Sequence, residues 1–158
     1  MSGAFETQYI ASTTYAGGTV TGAKAMQLGL LRGLCQCVAH AWGPVHVVGA
    51  NHQAVQQLTR RGPPRGVHLR DTYWKARRAA DAAAVTSWTR CHRDANRAAT
   101  DFASIARETD TSVESRFGVG NNSVARWATI TDAIQADVTQ RAMEQVKTVS
   151  SEAAGSTV

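Results

Sequence analysis

Acidic residues are missing from a long part of this sequence: between Thr7 and Arg70 there is no Asp or Glu. Any chemistry needing several carboxylates must therefore draw them from outside that stretch. Long apolar runs are also missing. None approaches the roughly 18 residues that span a bilayer, so no membrane partner is expected. Met1 to Gln8 is polar and has no basic region of the kind that opens a secretory signal, which leads us to expect an intracellular protein, cytoplasmic or nuclear. Cysteine is scarce. Three residues, Cys35, Cys37 and Cys91, cannot close a disulfide framework. Cys35 and Cys37, with His40 and His92, suggest a metal site, but two residues apart on a helix they point about 200° away from one another. Buried free thiols are the reading we adopt.

Other catalytic signatures are absent as well. His40, His46, His52, His68 and His92 are scattered without nucleophile or zinc spacing. Ser12, Thr13 and Thr14 have no neighbouring base, and Gly17-Gly18 and Gly118-x-Gly120 are too short for phosphate loops. Asn121-Asn122-Ser123 is a formal glycosylation triplet to which we assign no role without secretion.

What is present is an uneven distribution of charge. The whole chain carries +5, with 17 Lys/Arg against 12 Asp/Glu. Residues 1–107 hold 13 basic and 5 acidic residues (+8), whereas 108–158 hold 4 and 7 (−3). The shift places a boundary near Glu108. The basic charge is densest from Arg60 to Arg78, where Arg60, Arg61, Arg65, Arg70, Lys75, Arg77 and Arg78 face Asp71 alone.

Local patterning alternates strands with helices. Gln8–Tyr15 is β-branched and aromatic and ends at Ala16-Gly17-Gly18, so it is predicted to be a strand followed by a turn. Gly22–Ala41 places Met26, Leu30, Leu34 and Val38 near helical spacing, entered from Thr21 and stopped by Gly43-Pro44. Val45–Val48 is a short buried strand, and Gln53–Thr59 a short helix broken by Gly62-Pro63-Pro64. Leu69–Ala84 is a helix with Tyr73, Ala76, Ala80 and Ala83 on one face and Arg77, Arg78 and Asp81 mostly outside it. Ala84–Arg90 is a strand, and Asn96–Arg107 a helix with Ala99, Phe102, Ala103 and Ala106 inward. Thr111–Asn122 reads as linker. Ser123–Val149 is amphipathic, with Trp127, Ile130, Ile134 and Val138 in step, and Ser150–Val158 is predicted to be disordered. The segments are therefore 1–107 as a domain, 108–122 as linker, 123–149 as amphipathic helix and 150–158 as tail. Alternating elements imply βαβ units and a parallel sheet.

Three segments, in order, carry a resemblance. Thr21-Gly22-Ala23-Lys24-Ala25-Met26-Gln27-Leu28-Gly29-Leu30-Leu31-Arg32-Gly33-Leu34 resembles T-N-N-x-A-E-x-x-G-L-x-x-G-L. His46-Val47-Val48-Gly49-Ala50-Asn51 resembles a strand ending V-x-G-D-S. Trp88, then Arg93 and Asn96 to Ala106, resembles W followed by R-x-H-N-x-x-A-D-x-L-A-N-x-A. These are patterns of ribonuclease H domains, in the style of retrotransposon elements, and the resemblance covers about Gln8 to Arg107. It implies an α/β, ribonuclease H-like βα fold with a shortened, mainly parallel sheet and a C-terminal helical extension.

The same resemblance implies a chemistry and its loss. Ribonuclease H enzymes cut the RNA strand of an RNA–DNA hybrid with two Mg²⁺ ions, which need hard oxygen ligands. In this sequence the helix Glu position is Met26, the strand Asp position is Ala50, the last-helix Asp position is Thr100 and the mobile His position is Ala95. Only seven residues precede the segment resembling the third strand, so no counterpart of the first-strand Asp is expected. Asp101, one residue past Thr100, is about 100° away around the helix. Using it as the ligand would shift Phe102 and Ala103 out of phase with the family's buried positions. The expectation is no enzyme activity, no cofactor and no metal.

The basic stretch Arg60–Arg78 occupies the place at which hybrid-binding ribonuclease H proteins grip the phosphate backbone. The expected function is a catalytically inactive protein that binds RNA–DNA hybrid or duplex nucleic acid through those seven residues. The alternative is a protein-interaction or self-assembling module, such as a homo-oligomer, that keeps only the fold. Three short strands, all expected to run parallel with open edges, favour association.

Overall fold

A computed structural model describes residues 6–15, 20–117 and 127–155. The Gly17-Gly18 turn, the Gly118-x-Gly120 loop, the Asn121 triplet and residues 123–126 of the amphipathic segment lie outside the described residues. In chain order the elements are β1 (Tyr9–Ser12), α1 (Gly22–Ala39), β2 (Val45–Gly49), α2 (His52–Thr59), α3 (Val67–Ala82), β3 (Val85–Arg90), a 3-10 turn (Arg93–Ala95), α4 (Arg97–Thr109), β4 (Val113–Arg116) and α5 (Ala128–Gly155). The class is mixed α/β, as expected, but the sheet is divided. β2 and β3 form a parallel pair; β1 pairs antiparallel with β4. The three strands expected to run parallel therefore do not share one sheet.

The first apolar cluster belongs to the parallel pair. Leu34 of α1 and Ala80 and Ala83 at the end of α3 are buried together, against Leu30, Cys37, Val45, Val47, Val85 and Trp88. The alanines let α1 and α3 lie close to each other over the pair. α1 opens as the sequence indicates: the Thr21 hydroxyl accepts the Lys24 N–H at 3.3 Å, a side-chain cap. Its inward face is set differently. Gln27, Leu30, Leu34 and Cys37 turn inward, while Val38 is 43% exposed. A run at constant spacing of four drifts by about 40° per step relative to the 3.6-residue turn, so the row from Met26 to Val38 cannot stay on one face. Cys35 is exposed and Cys37 half-buried. The opposite pointing expected of these two holds, but the reading of all three thiols as buried does not.

The second cluster surrounds the antiparallel pair. Ile10 of β1, Phe102 of α4 and Trp127 and Ile130 of the last segment are buried, with Ile105, Val113, Phe117 and Ile134 packed on them. The Phe102 and Trp127 rings meet edge-on, with centroids 5.3 Å apart. Here the structure departs from the sequence pattern in three places. The stretch taken as linker contains β4, whose Val113 turns inward. The helix taken to end at 149 continues to Gly155, into the segment taken as disordered; residues 156–158 lie outside the described residues. In α4 the inward face is Ala98, Phe102 and Ala106, while Ala99 and Ala103 are exposed. Asp110 ends α4 in the left-handed conformation, φ 48°, which Asp tolerates better than most residues and which turns the chain back into β4.

Arg32 of α1 joins the two halves. Its Nε donates to the Tyr9 hydroxyl at 3.1 Å and its Nη1 to the Thr13 hydroxyl at 2.7 Å, and it pairs with Glu114 of β4. Burial raises the Tyr9 phenol above its ordinary range, although the Arg32 hydrogen bond opposes the shift. An Arg32→Ala variant should lose about 1–2 kcal/mol, measured by urea denaturation, because one change removes hydrogen bonds to both strands.

Candidate nucleic-acid interface

The basic segment is built on the α2–α3 corner. Asn51 caps α2 by accepting the Ala54 N–H at 3.0 Å. Arg61 closes α2 in the left-handed conformation, φ 57°, and Gly62 N–H returns to the Gln57 carbonyl at 3.0 Å. The chain then passes Pro63 and Pro64 into α3.

Six of the seven predicted residues are exposed there: Arg60, Arg61, Arg65, Arg70, Lys75 and Arg78. Three of the six have local work as well. Arg61 pairs with Asp81 at 3.2 Å, Lys75 with Asp71 at 2.7 Å, and Arg70 Nε donates to the Pro64 carbonyl at 3.2 Å, holding the loop. The hydrogen bond from Lys75 keeps the Asp71 carboxyl below its usual range.

Arg77 is the exception. It is only 9% exposed, although the helix pattern assigned it to the outer side. Its Nη1 donates to the Leu58 carbonyl in the last turn of α2 at 2.8 Å, and its Nη2 pairs with Asp81 at 3.2 Å. The end of α2, through the Leu58 carbonyl, takes this edge of the outer face of α3 out of solvent. Arg77 is thus a bracket between two helices and is not available to a ligand.

Trp74 escaped the sequence reading. It is 48% exposed on α3, between Arg70 and Arg78, one helical turn from each. Its neighbour Tyr73 is 1% exposed and takes the core position, with the two rings edge-on at 5.2 Å. The available signal was that Tyr73, Ala76, Ala80 and Ala83 already fill one face, so an adjacent Trp must point elsewhere. An exposed indole between two guanidinium groups offers a flat stacking surface beside positive charge.

The positions matching the family's metal ligands (Met26, Ala50, Thr100) and its mobile His (Ala95) are distributed as follows. Met26 is half-buried in α1. Ala50 follows the C-terminal end of β2, where the Cys91 N–H reaches the Gly49 carbonyl at 3.1 Å, so this end lies beside the end of β3. Ala95 is 3% exposed, and its carbonyl accepts from Arg141 of α5 at 2.9 Å. Thr100 is exposed in the first turn of α4 and its hydroxyl donates to the Asn96 carbonyl at 3.2 Å. Asp101 is exposed beside it. Of the two residues whose phase counts against Asp101 as a ligand, Phe102 is buried as expected and Ala103 is not. Among the described residues no three His, Cys, Asp or Glu side chains gather at one point, and no helix is long and apolar enough to cross a membrane.

The sequence profile of the reverse transcriptase-like family matches residues 7–106, more than half of the chain. The chain belongs to the reverse transcriptase-like family. This is a family of ribonuclease H-like domains of retroelement origin, and its match runs from β1 through most of α4. β4 and α5 lie outside it. Comparison with curated proteins and with solved structures returns no match.

Proposed function

We propose that this ribonuclease H-like chain is catalytically inactive and holds RNA–DNA hybrid or duplex nucleic acid at the α2–α3 corner. The observation that carries the binding half is the exposed set Arg60, Arg65, Arg70, Trp74, Lys75 and Arg78 on one corner of the fold. Positive charge set along a helix and loop attracts a phosphate backbone without reading bases, and the attraction falls with salt through counterion release. Replacing Arg60, Arg65 and Arg78 together by Ala should weaken binding to unrelated sequences alike. It should also flatten the salt dependence by roughly 1 in slope for each phosphate that is no longer neutralised. Fluorescence anisotropy across a salt series measures both. An unchanged slope moves the interface elsewhere.

The inactive half rests on donor chemistry. The family's chemistry implies two Mg²⁺ ions. A thioether at Met26, a methyl group at Ala50 and one neutral hydroxyl at Thr100 do not fit hard, octahedral Mg²⁺. Asp101 would add a single carboxylate, too few for a pair of ions. No metal-dependent cleavage of a labelled hybrid should exceed that of a mock-purified control.

A second reading is favoured by one observation. Met143, Val146 and Val149 on the distal half of α5 are 61%, 66% and 66% exposed. A self-assembling module would use such a face. Light scattering that gives a dimer, reduced to monomer by Val146→Ser with Val149→Ser, would support it over nucleic-acid binding.

A further inference from the structure

Helix α5 lies outside the matched family region, yet it is fixed to the turn at which that region's last helix begins. Asp137 is 4% exposed and accepts the Ala98 N–H at 3.0 Å. α4 has no side-chain cap of its own at Asn96, so a carboxylate from another helix fills that role. One turn further along α5, Arg141 donates to the Ala95 carbonyl at 2.9 Å. Trp127 and Ile130 anchor the proximal end of α5 among Ile10 and Phe102. Cys91, which follows β3, is also close: burial raises its thiol, Arg141 opposes this, and Asp137 and Glu144 reinforce it. One acidic helix thus covers the end of β3, the 3-10 turn and the start of α4.

We propose that α5 is a built-in cover, which keeps nucleic acid away from the face between the end of β3 and the start of α4. This rests on the nucleic-acid reading above and adds regulation to it. The cover acts in two ways. It occupies the space over Ala95 and Ala98, and it brings Asp137 and Glu144 close to Cys91 at the end of β3, a face that a phosphate backbone would otherwise approach. The basic region 1–107 carries +8 and the region after it −3, so the contact joins opposite charges within one chain. A hybrid held at α2–α3 would engage the second face only when the part of α5 carrying Asp137 and Arg141 lifts away, with Trp127 and Ile130 staying in the core. A single strand, confined to the α2–α3 corner, would be indifferent to the cover.

The test uses the full chain with Asp137→Ala and Arg141→Met together. Anisotropy is measured with a short RNA–DNA hybrid and with single-stranded DNA of equal length. The expected result is hybrid affinity about tenfold tighter, the gain if the undocked form is about a tenth of the population, with single-strand affinity unchanged. Circular dichroism and a cooperative melt establish that the variant is folded. If it is not, Arg141→Met alone removes only the Ala95 hydrogen bond and should give a smaller gain of the same sign. Equal hybrid affinity in folded wild type and variant overturns the cover. Binding by neither protein, or binding untouched by the Arg60, Arg65 and Arg78 substitutions, overturns the nucleic-acid reading itself, and the cover with it.

Discussion

A chain ending at Phe117 should lose cooperative thermal unfolding, whereas a chain ending at Arg141 should melt close to the full-length protein. The two truncations divide α5 at the point where its packing against the rest of the fold stops. The proximal half supplies Trp127 and Ile130, 7% and 6% exposed, to the cluster holding Ile10 and Phe102. Removing a buried Trp and a buried Ile costs several kcal/mol each, and without Asp137 the Ala98 N–H has no carboxylate to donate to. A small domain has about 5–15 kcal/mol in total. The loss is therefore comparable to the whole. Phe102 and Ile10 would also be left facing water as an apolar patch. The distal half is different: residues 142–151 are all exposed, so removing them leaves the cluster intact. Calorimetry on both truncations measures the difference. A cooperative melt at an unchanged temperature from the chain ending at Phe117 would show that α5 is an appendage and that the β1–β4 pair supports itself.

How much of this fold was legible in the sequence depends on whether the signal was local. The α1 cap at Thr21, the α2 cap at Asn51, the alanine face of α3 and the Trp127–Ile130 spacing are written within one element and could be read there. Pairing is not. β1 and β4 are about a hundred residues apart in the chain, and Val113-Glu114-Ser115-Arg116 carries too little apolar character to stand out from its Ser- and Gly-rich surroundings. Its strand state comes from partners: the Ile10 cluster on one side and Arg32 reaching Glu114. The alternation in that segment is real but short, and a four-residue strand is only recognisable once its neighbour is known. The candidate interface was legible as charge but not as geometry. Charge counting found the corner and included Arg77, which is buried with its head on the Leu58 carbonyl at the end of α2. It passed over Trp74, which has no charge to count.

Arg77 and Arg78, adjacent in sequence, should therefore respond in opposite ways. Arg77→Ala should destabilise the fold by on the order of 3 kcal/mol, a fall of roughly 10 °C in Tm for a chain of this size. The loss has three parts. The Leu58 carbonyl loses its donor at 2.8 Å, Asp81 loses one of two partners, and the buried side chain leaves a gap between α2 and α3. Asp81 is half-exposed and still has Arg61, so the ion pair contributes least; the carbonyl and the gap dominate. Arg77→Met, which keeps the stem and removes the head, should recover part of the loss and so separate packing from hydrogen bonding. Hybrid affinity, corrected for the folded fraction, should change little in either variant. Arg78→Ala should do the reverse. It is exposed on the outer side of α3, so stability should stay within about 0.5 kcal/mol, while affinity for nucleic acid falls and the salt dependence flattens by about 1 in slope. Urea denaturation and anisotropy on the two variants separate the roles. Equal loss of affinity from both at equal stability would mean that Arg77 reaches the ligand and that the bracket between α2 and α3 opens on binding.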